Sequence, residues 1–223
     1  LWQCATAKYA DGRLTLLGRL LYSAFFNGAQ KGEKARDANR LSPSLSFSYR
    51  LFRGRDIYVR ASYKNIFRAP NFNENYYFHY GSATLESETT DQLNLGLTMG
   101  GHTGSMSGQM LIDVYYNHIK DMIVAVPYNM FVWTCINVGR VRSLGAELTL
   151  NGRYALSDCQ TLTVQGAYSY QRVTDRTYSS SSYYGYQIAY IPLHSGSMSV
   201  GWENPWVNVS LSGSGVSSRW PNN

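Results

Sequence analysis

The sequence predicts an all-β chain, an antiparallel up-and-down portion of a transmembrane β-barrel with about ten strands. Three observations carry that expectation. Apolar and polar residues alternate with a period of two along much of the 223-residue chain, as they must when successive side chains of a strand point to opposite faces. Short and long connections alternate between these segments. Only 15% of the residues are charged, against roughly 25% in an ordinary soluble domain, while Gly (20) and Tyr (19) are abundant.

The alternation can be followed segment by segment. Leu45, Phe47, Tyr49 and Leu51 stand against Ser44, Ser46, Ser48 and Arg50, and Ile57, Val59, Ala61 and Tyr63 against Tyr58, Arg60, Ser62 and Lys64. Leu93, Leu95, Leu97 and Met99 then face away from Gln92, Asn94, Gly96 and Thr98. Leu144 to Leu150, Leu162 to Tyr170 and Val207 to Leu211 repeat the pattern, and helical spacing competes over none of these windows. Asp11-Gly12, Arg53 to Asp56, Gly100 to Ser105, Ala155 to Gln160 and Asn204-Pro205 read as short turns, built from the residues such turns need. The stretches 27–42, 66–89, 120–134 and 174–191 read as long connections. In a meander all short turns then fall at one end and all long loops at the other, the asymmetry of outer-membrane barrels.

The polar face, with Arg50, Arg60, Lys64, Gln92, Asp113 and Glu147, suits a wet lumen rather than lipid. The apolar face ends in Tyr22, Phe26, Tyr49, Tyr63, Tyr116, Tyr168, Tyr170 and Trp202, positioned to form girdles at two membrane interfaces. Tyrosine also favours soluble sheets, so a soluble β-sandwich that binds ligand through aromatic loops is the alternative. No apolar run approaches the ~20 residues of a membrane helix. The formal net charge is +6, but the basic residues are scattered among acids, and no nucleic-acid partner is expected. Cys4, Cys135 and Cys159 form no CxxC pair, and the four histidines stand apart, so neither a metal site nor a cofactor is expected. Asp121, His118 and Ser143 are residue types an outer-membrane barrel enzyme would use, but no spacing fixes them together, and no catalytic residue is assigned. Leu1-Trp2-Gln3-Cys4 lacks the features of a signal peptide and reads as the interior of a longer protein.

The run from Tyr58 through Phe67-Arg68-Ala69-Pro70 to Glu74 resembles the barrel of TonB-dependent outer-membrane receptors, in which a strand ends in Phe-Arg-x-Pro and an Asn-Leu-x-Pro-Glu element follows a loop. Here the second element is Ala83-Thr84-Leu85-Glu86-Ser87-Glu88, with Ser87 in place of the proline. Leu111 to Ile123, Asn137 to Leu148 and Tyr190-Ile191-Pro192-Leu193-His194 resemble three later strands of that family, in the family's order. The resemblance implies that residues 1–223 are a receptor barrel portion, about ten strands of a larger barrel, whose plug domain, early strands and last strands lie outside it. It implies energised import across the outer membrane of a Gram-negative bacterium, with no bond made or broken. The substrate it implies is a scarce bulky nutrient, cobalamin or else a ferric siderophore or haem. The implied partners are the receptor's own plug domain, the TonB energy-transducing complex acting through that plug, and outer-membrane lipid.

Aromatic-rich loops suit flat organometallic or iron-chelate substrates, by stacking and by hydroxyl hydrogen bonds. Tyr76, Tyr77, Phe78, His79 and Tyr80 form one such cluster and Tyr183, Tyr184 and Tyr186 another; these are the expected ligand-binding residues. Arg60, Arg68 and Glu147 are expected to face the lumen, with Arg68 and Glu147 meeting the plug. A carboxylate buried there needs a partner. Cys135 and Cys159 fall at opposite ends of one strand, too far apart for a disulfide.

Overall fold

The computed structural model describes residues 2–9, 12–28, 33–180, 184–189 and 191–219. Its alternating segments are strands, because branched and aromatic side chains pack best on a pleated, half-covered surface. In chain order they are β1 Trp2–Tyr9, β2 Leu14–Phe25, β3 Ala38–Arg50, β4 Asp56–Arg68, β5 Glu88–Thr103, β6 Met106–Pro127, β7 Trp133–Ser157, β8 Gln160–Asp175, β9 His194–Glu203 and β10 Val209–Val216. One short helix, α1 (Phe72–Tyr76), lies between β4 and β5. All ten strands belong to one sheet in the order β1 to β10, each pairing antiparallel with its chain neighbour, as an up-and-down meander requires.

The register keeps the apolar residues on one face. Leu16, Phe47, Ala61, Leu95, Val114, Ala146 and Tyr170 are successive cross-strand partners in a single row. Leu14, Tyr49, Val59, Leu97, Ile112, Leu148 and Tyr168 form the next. Among the described residues no second layer covers these rows: Leu95 is 59% exposed, Val114 44% and Tyr168 46%. A soluble sandwich would bury them between two sheets, so that alternative is set aside. The opposite face is polar, and one of its rows runs Ser48, Arg60, Gly96, Asp113, Glu147, Ser169 and Ser195. Across β7 to β10 that face holds a concavity of about 470 Å³ lined by Thr149, Asn151, Gln165, Ser197, Ser199 and Ser212, among others.

At the end of the sheet with the long connections the polarity reverses. Ile119, Val141 and Val173, which carry inward on the otherwise polar face, are buried with Met122, Val138, Ile188 and Ile191 packed against them. Leu85, Ile123 and Cys135 form a second buried cluster, against which Tyr80 packs. The core of the chain therefore sits where loops β4–β5 and β8–β9 fold onto the sheet, and the body of the sheet has none.

Two connections are shorter than expected. Residues 120–134, read as a loop, are mostly strand: β6 and β7 stay paired from Lys120↔Arg140 out to Pro127↔Trp133. The alternation is hidden because Asp121 adopts a positive φ of 56°, a kink across which the register is kept. Residues 38–42 likewise belong to β3, and Pro43 pairs with Leu20. A proline lacks the ladder N–H and reads as a breaker, although a strand tolerates it where that donor is not needed.

Candidate functional site

On the polar face Arg60 of β4 reaches over β5 to Asp113 of β6, with Nη2 2.9 Å from Oδ2. Gly96 is the β5 residue between them. A Cβ there would lie 3.0 Å from Arg60 Nη2 and collide with the Asp113 carboxylate, so the ion pair depends on the missing side chain. Glu147 is the next residue along the row; it is exposed, and among the described residues no cation pairs with it. Arg60 and Glu147 thus stand on the face expected to be the lumen, one neutralised within the sheet and the other with its charge open.

The second group of candidates lies at the long-connection end. Arg68, the last residue of β4, donates to Glu74 Oε1 at 2.9 Å and to Glu88 Oε2 at 3.1 Å. It is committed to two carboxylates of its own chain. Glu74 in turn accepts from the Asn71 backbone N–H at 2.8 Å, while the Asn71 side chain accepts from the Glu74 N–H. This capping box satisfies two free donors of α1 at once. Glu88 Oε2 also accepts from the Ile123 N–H at 3.2 Å. A single guanidinium therefore ties the end of β4 to the loop helix and to β5, and through Glu88 to β6.

The aromatic run Tyr76 to Tyr80 follows directly. Tyr76 accepts from the Ala35 N–H at 3.0 Å, joining the β2–β3 loop to this one. His79 has a φ of 63°, a left-handed conformation histidine enters more readily than most residues, and its ring lies against that of Phe78, with centroids 3.8 Å apart. Gly81 closes the turn onto α1; a Cβ there would stand 2.7 Å from the Tyr76 backbone nitrogen. Tyr77, Phe78 and His79 are the exposed members, whereas Tyr80 turns inward. The hydrogen bond of its hydroxyl to Cys135, with some burial, pushes the Tyr80 pKa above the usual phenol value. The Cys135 N–H donates to the Tyr80 carbonyl at 2.8 Å, and Asn137 both accepts from Glu86 N–H and donates to its carbonyl. The aromatic loop is stitched to β7 at both places.

In the β8–β9 loop, Arg176 lies 4.8 Å over the ring of Tyr184, and Tyr186 is exposed. Tyr183 lies outside the described residues. Among the described residues no hydrogen bond or ring contact joins this cluster to Tyr76–Tyr80. A third aromatic group escaped the sequence reading: the β6–β7 hairpin ends in Tyr128, Met130 and Phe131, the latter two 92% and 89% exposed. The signal was the run Pro127 to Trp133, masked by its place inside a supposed long loop. His118 pairs with Arg142, and Ser143 with Asn117, so His118 and Ser143 point to opposite faces and cannot act on one substrate atom. Among the described residues no group of three or more His, Cys, Asp and Glu is placed to hold a metal ion, and Cys4, Cys135 and Cys159 are free thiols.

Residues 8–223 match the sequence model of the family described as TonB dependent receptor-like, beta-barrel. No curated protein matches the chain in sequence. Among solved structures the fold is similar to the copper transporter OprC, at 17% identity and a TM-score of 0.68 over 94% of this chain and 33% of that one. It is also similar to the FrpB iron transporter from Neisseria meningitidis (F3-3 variant), at 17% identity and a TM-score of 0.58 over 95% of this chain and 31% of that one. The chain thus spans about a third of the length of the transporters whose fold it shares.

Proposed function

The chain belongs to the TonB-dependent receptor β-barrel family, proteins of the Gram-negative outer membrane, and from that premise we propose that residues 1–223 are a wall segment of a receptor importing a scarce, bulky nutrient. The observation that carries this reading is the aromatic loop Tyr76–Tyr80, pinned to β7 through Cys135 and Asn137 at the long-connection end of the sheet. An aromatic surface fixed before the ligand arrives binds flat molecules without the cost of ordering it. In this reading Tyr77, Phe78 and His79, with Tyr184 and Tyr186, meet the substrate outside the cell. Tyr76 and Tyr80 hold the loop.

The remainder of the barrel and the plug come from the rest of the receptor. Asp113, Glu147 and the serine rows of β9 and β10 offer the plug a hydrophilic, small-residue surface, and the TonB complex draws on the plug to open the path. The segment binds and conducts; it catalyses nothing. Cobalamin is the leading substrate, with ferric siderophore or haem next. The copper and iron named for the two similar transporters do not choose between these, because at 17% identity only the fold is shared.

Growth of a strain lacking the receptor gene, limited in turn for cobalamin and for each iron chelate, tests the reading. Loss of growth on one source, restored by the intact gene, is the expected result. Replacing Tyr77 and Phe78 together by Ala should raise the concentration needed for half-maximal uptake roughly tenfold, since each lost aromatic contact is worth about 0.5–1.5 kcal/mol. Uptake of every one of these nutrients unaffected by deletion would refute it.

A further inference from the structure

The face that carries the apolar rows changes at the long-connection end. Tyr116 pairs with Leu144, and Leu144 with Arg172. One pleat further out the same face carries His118 opposite Arg142, and then Lys120 opposite Arg140. Lys120, Arg140, Arg142 and Arg172 are exposed, and among the described residues none of the four forms an ion pair. The acids nearby answer only Lys120, and without an ion pair. Asp91, opposite His118, feels the Lys120 charge but accepts from the Tyr63 hydroxyl at 2.8 Å and from Asn65 at 2.7 Å, and Asp121, also within the field of Lys120, occupies the positive-φ kink after it.

Like charges placed directly opposite in a sheet are destabilising. Four cations on three adjacent strands, with cross-strand neighbours about 5 Å apart and steps along a strand of about 7 Å, therefore exceed what Asp91 and Asp121 offer Lys120, and the three arginines favour a further anion. We propose that this patch binds the phosphate groups of a phosphorylated glycolipid in the outer leaflet, whose acyl chains lie on the rows of Val114, Leu144 and Tyr170 below. Depth, sign and continuity agree. The stretch from Met106 to Tyr116 is about the 9–11 residues that carry a tilted strand across the hydrocarbon, so the cations begin at the headgroups. Arginine meets phosphate with two parallel hydrogen bonds, and long basic side chains lay their stems on apolar surface while their heads stay wet. The patch is separate from the proposed nutrient site, and its failure would leave that reading standing.

The complete receptor, purified and stripped of lipid in detergent, is titrated with bisphosphorylated lipid A and with the same lipid after its phosphates are removed. Retained lipid is read by mass spectrometry, and the thermal midpoint is followed in parallel. Wild-type receptor should retain the phosphorylated form and be stabilised by it, and the dephosphorylated form should do neither. The triple variant Lys120→Gln, Arg140→Gln, Arg142→Gln should bind the phosphorylated lipid roughly a hundredfold more weakly, at about fivefold per cation near an anionic surface. Arg153→Gln, at the short-turn end of β7, should leave binding unchanged. Equal retention of both lipids by the wild type overturns the proposal whether or not the triple variant folds, as does unchanged affinity in a folded triple variant.

Discussion

Gly96 lets two side chains meet that belong to strands not adjacent to each other. Any Cβ at this position strikes the Asp113 carboxylate, so Gly96→Val should separate Arg60 from Asp113 and leave Asp113 and Glu147 as neighbouring uncompensated acids. The expected outcome is a receptor that still inserts, because the apolar face is untouched, but unfolds at lower temperature and has an altered plug fit, read by plug proteolysis. Arg68 has a different task. With Glu74 and Glu88 largely covered, Arg68→Ala leaves two carboxylates without their cation, a loss of about 2 kcal/mol for hydrogen bonds to charged groups. The aromatic loop should then open and uncover Cys135, 3% exposed in the closed state, and alkylation of that thiol by a membrane-impermeant maleimide should accelerate roughly thirtyfold. An unchanged rate would show that Arg68 does not hold the loop. In the β2–β3 loop the Lys34 ammonium, and then the Asn27 N–H, hold the Asp37 carboxyl below its usual range. That contribution is complete above the ordinary aspartate pKa and is lost as pH falls through the lowered value. Exchange of the Asn27 amide should therefore show added opening only in strong acid.

At the scale of elements, β6 and β7 are the longest described strands, at 22 and 25 residues, about twice the 9–11 residues a tilted strand needs to cross the hydrocarbon, and their outer halves continue as a paired hairpin. The hairpin stands because Ile123 and Cys135 pack on Leu85 and because Gly139 leaves room for Thr177, whose methyl would lie 2.7 Å from a Cβ there. Gly139→Val should displace the β8–β9 loop and increase proteolysis at residues 176–189, with the membrane-spanning part of β7 unaffected. Strand existence, order, facing and the alternation of short turns were legible in the sequence, because a period of two survives wherever one side of a strand meets a uniform surroundings. It fails above the membrane. There Ile119, Val141 and Val173 turn inward under loops, the outer positions become basic, and a positive φ at Asp121 interrupts the count. Arg68 was legible as a strand end but not as a clamp, since its partners Glu74 and Glu88 are brought to it by the fold of the loop. The aromatic run Tyr76–Tyr80 was legible as a group, yet only the folded contacts, Tyr76 to the Ala35 N–H and Tyr80 to Cys135 of β7, separate these structural residues from the exposed Tyr77, Phe78 and His79.

The described residues form a single sheet with an apolar face, a polar face and a reversal of both at one end. Its two outermost strands, β1 and β10, present unpaired backbone groups, and unpaired edges recruit other strands. Residues 1–223 produced alone should consequently associate through those edges, and co-expression with the remainder of the receptor should suppress that association, as followed by light scattering. The most direct test of the lipid-facing assignment is spin-label accessibility in the complete receptor in a bilayer, with single labels from Met110 to Lys120. Collision with oxygen should peak at Ile112, Val114 and Tyr116, collision with a water-soluble nickel chelate at Asp113 and Tyr115, and the oxygen peaks should end before Lys120. Low accessibility to both reagents along the even-numbered positions, as in a dry interior between two layers, would contradict the account.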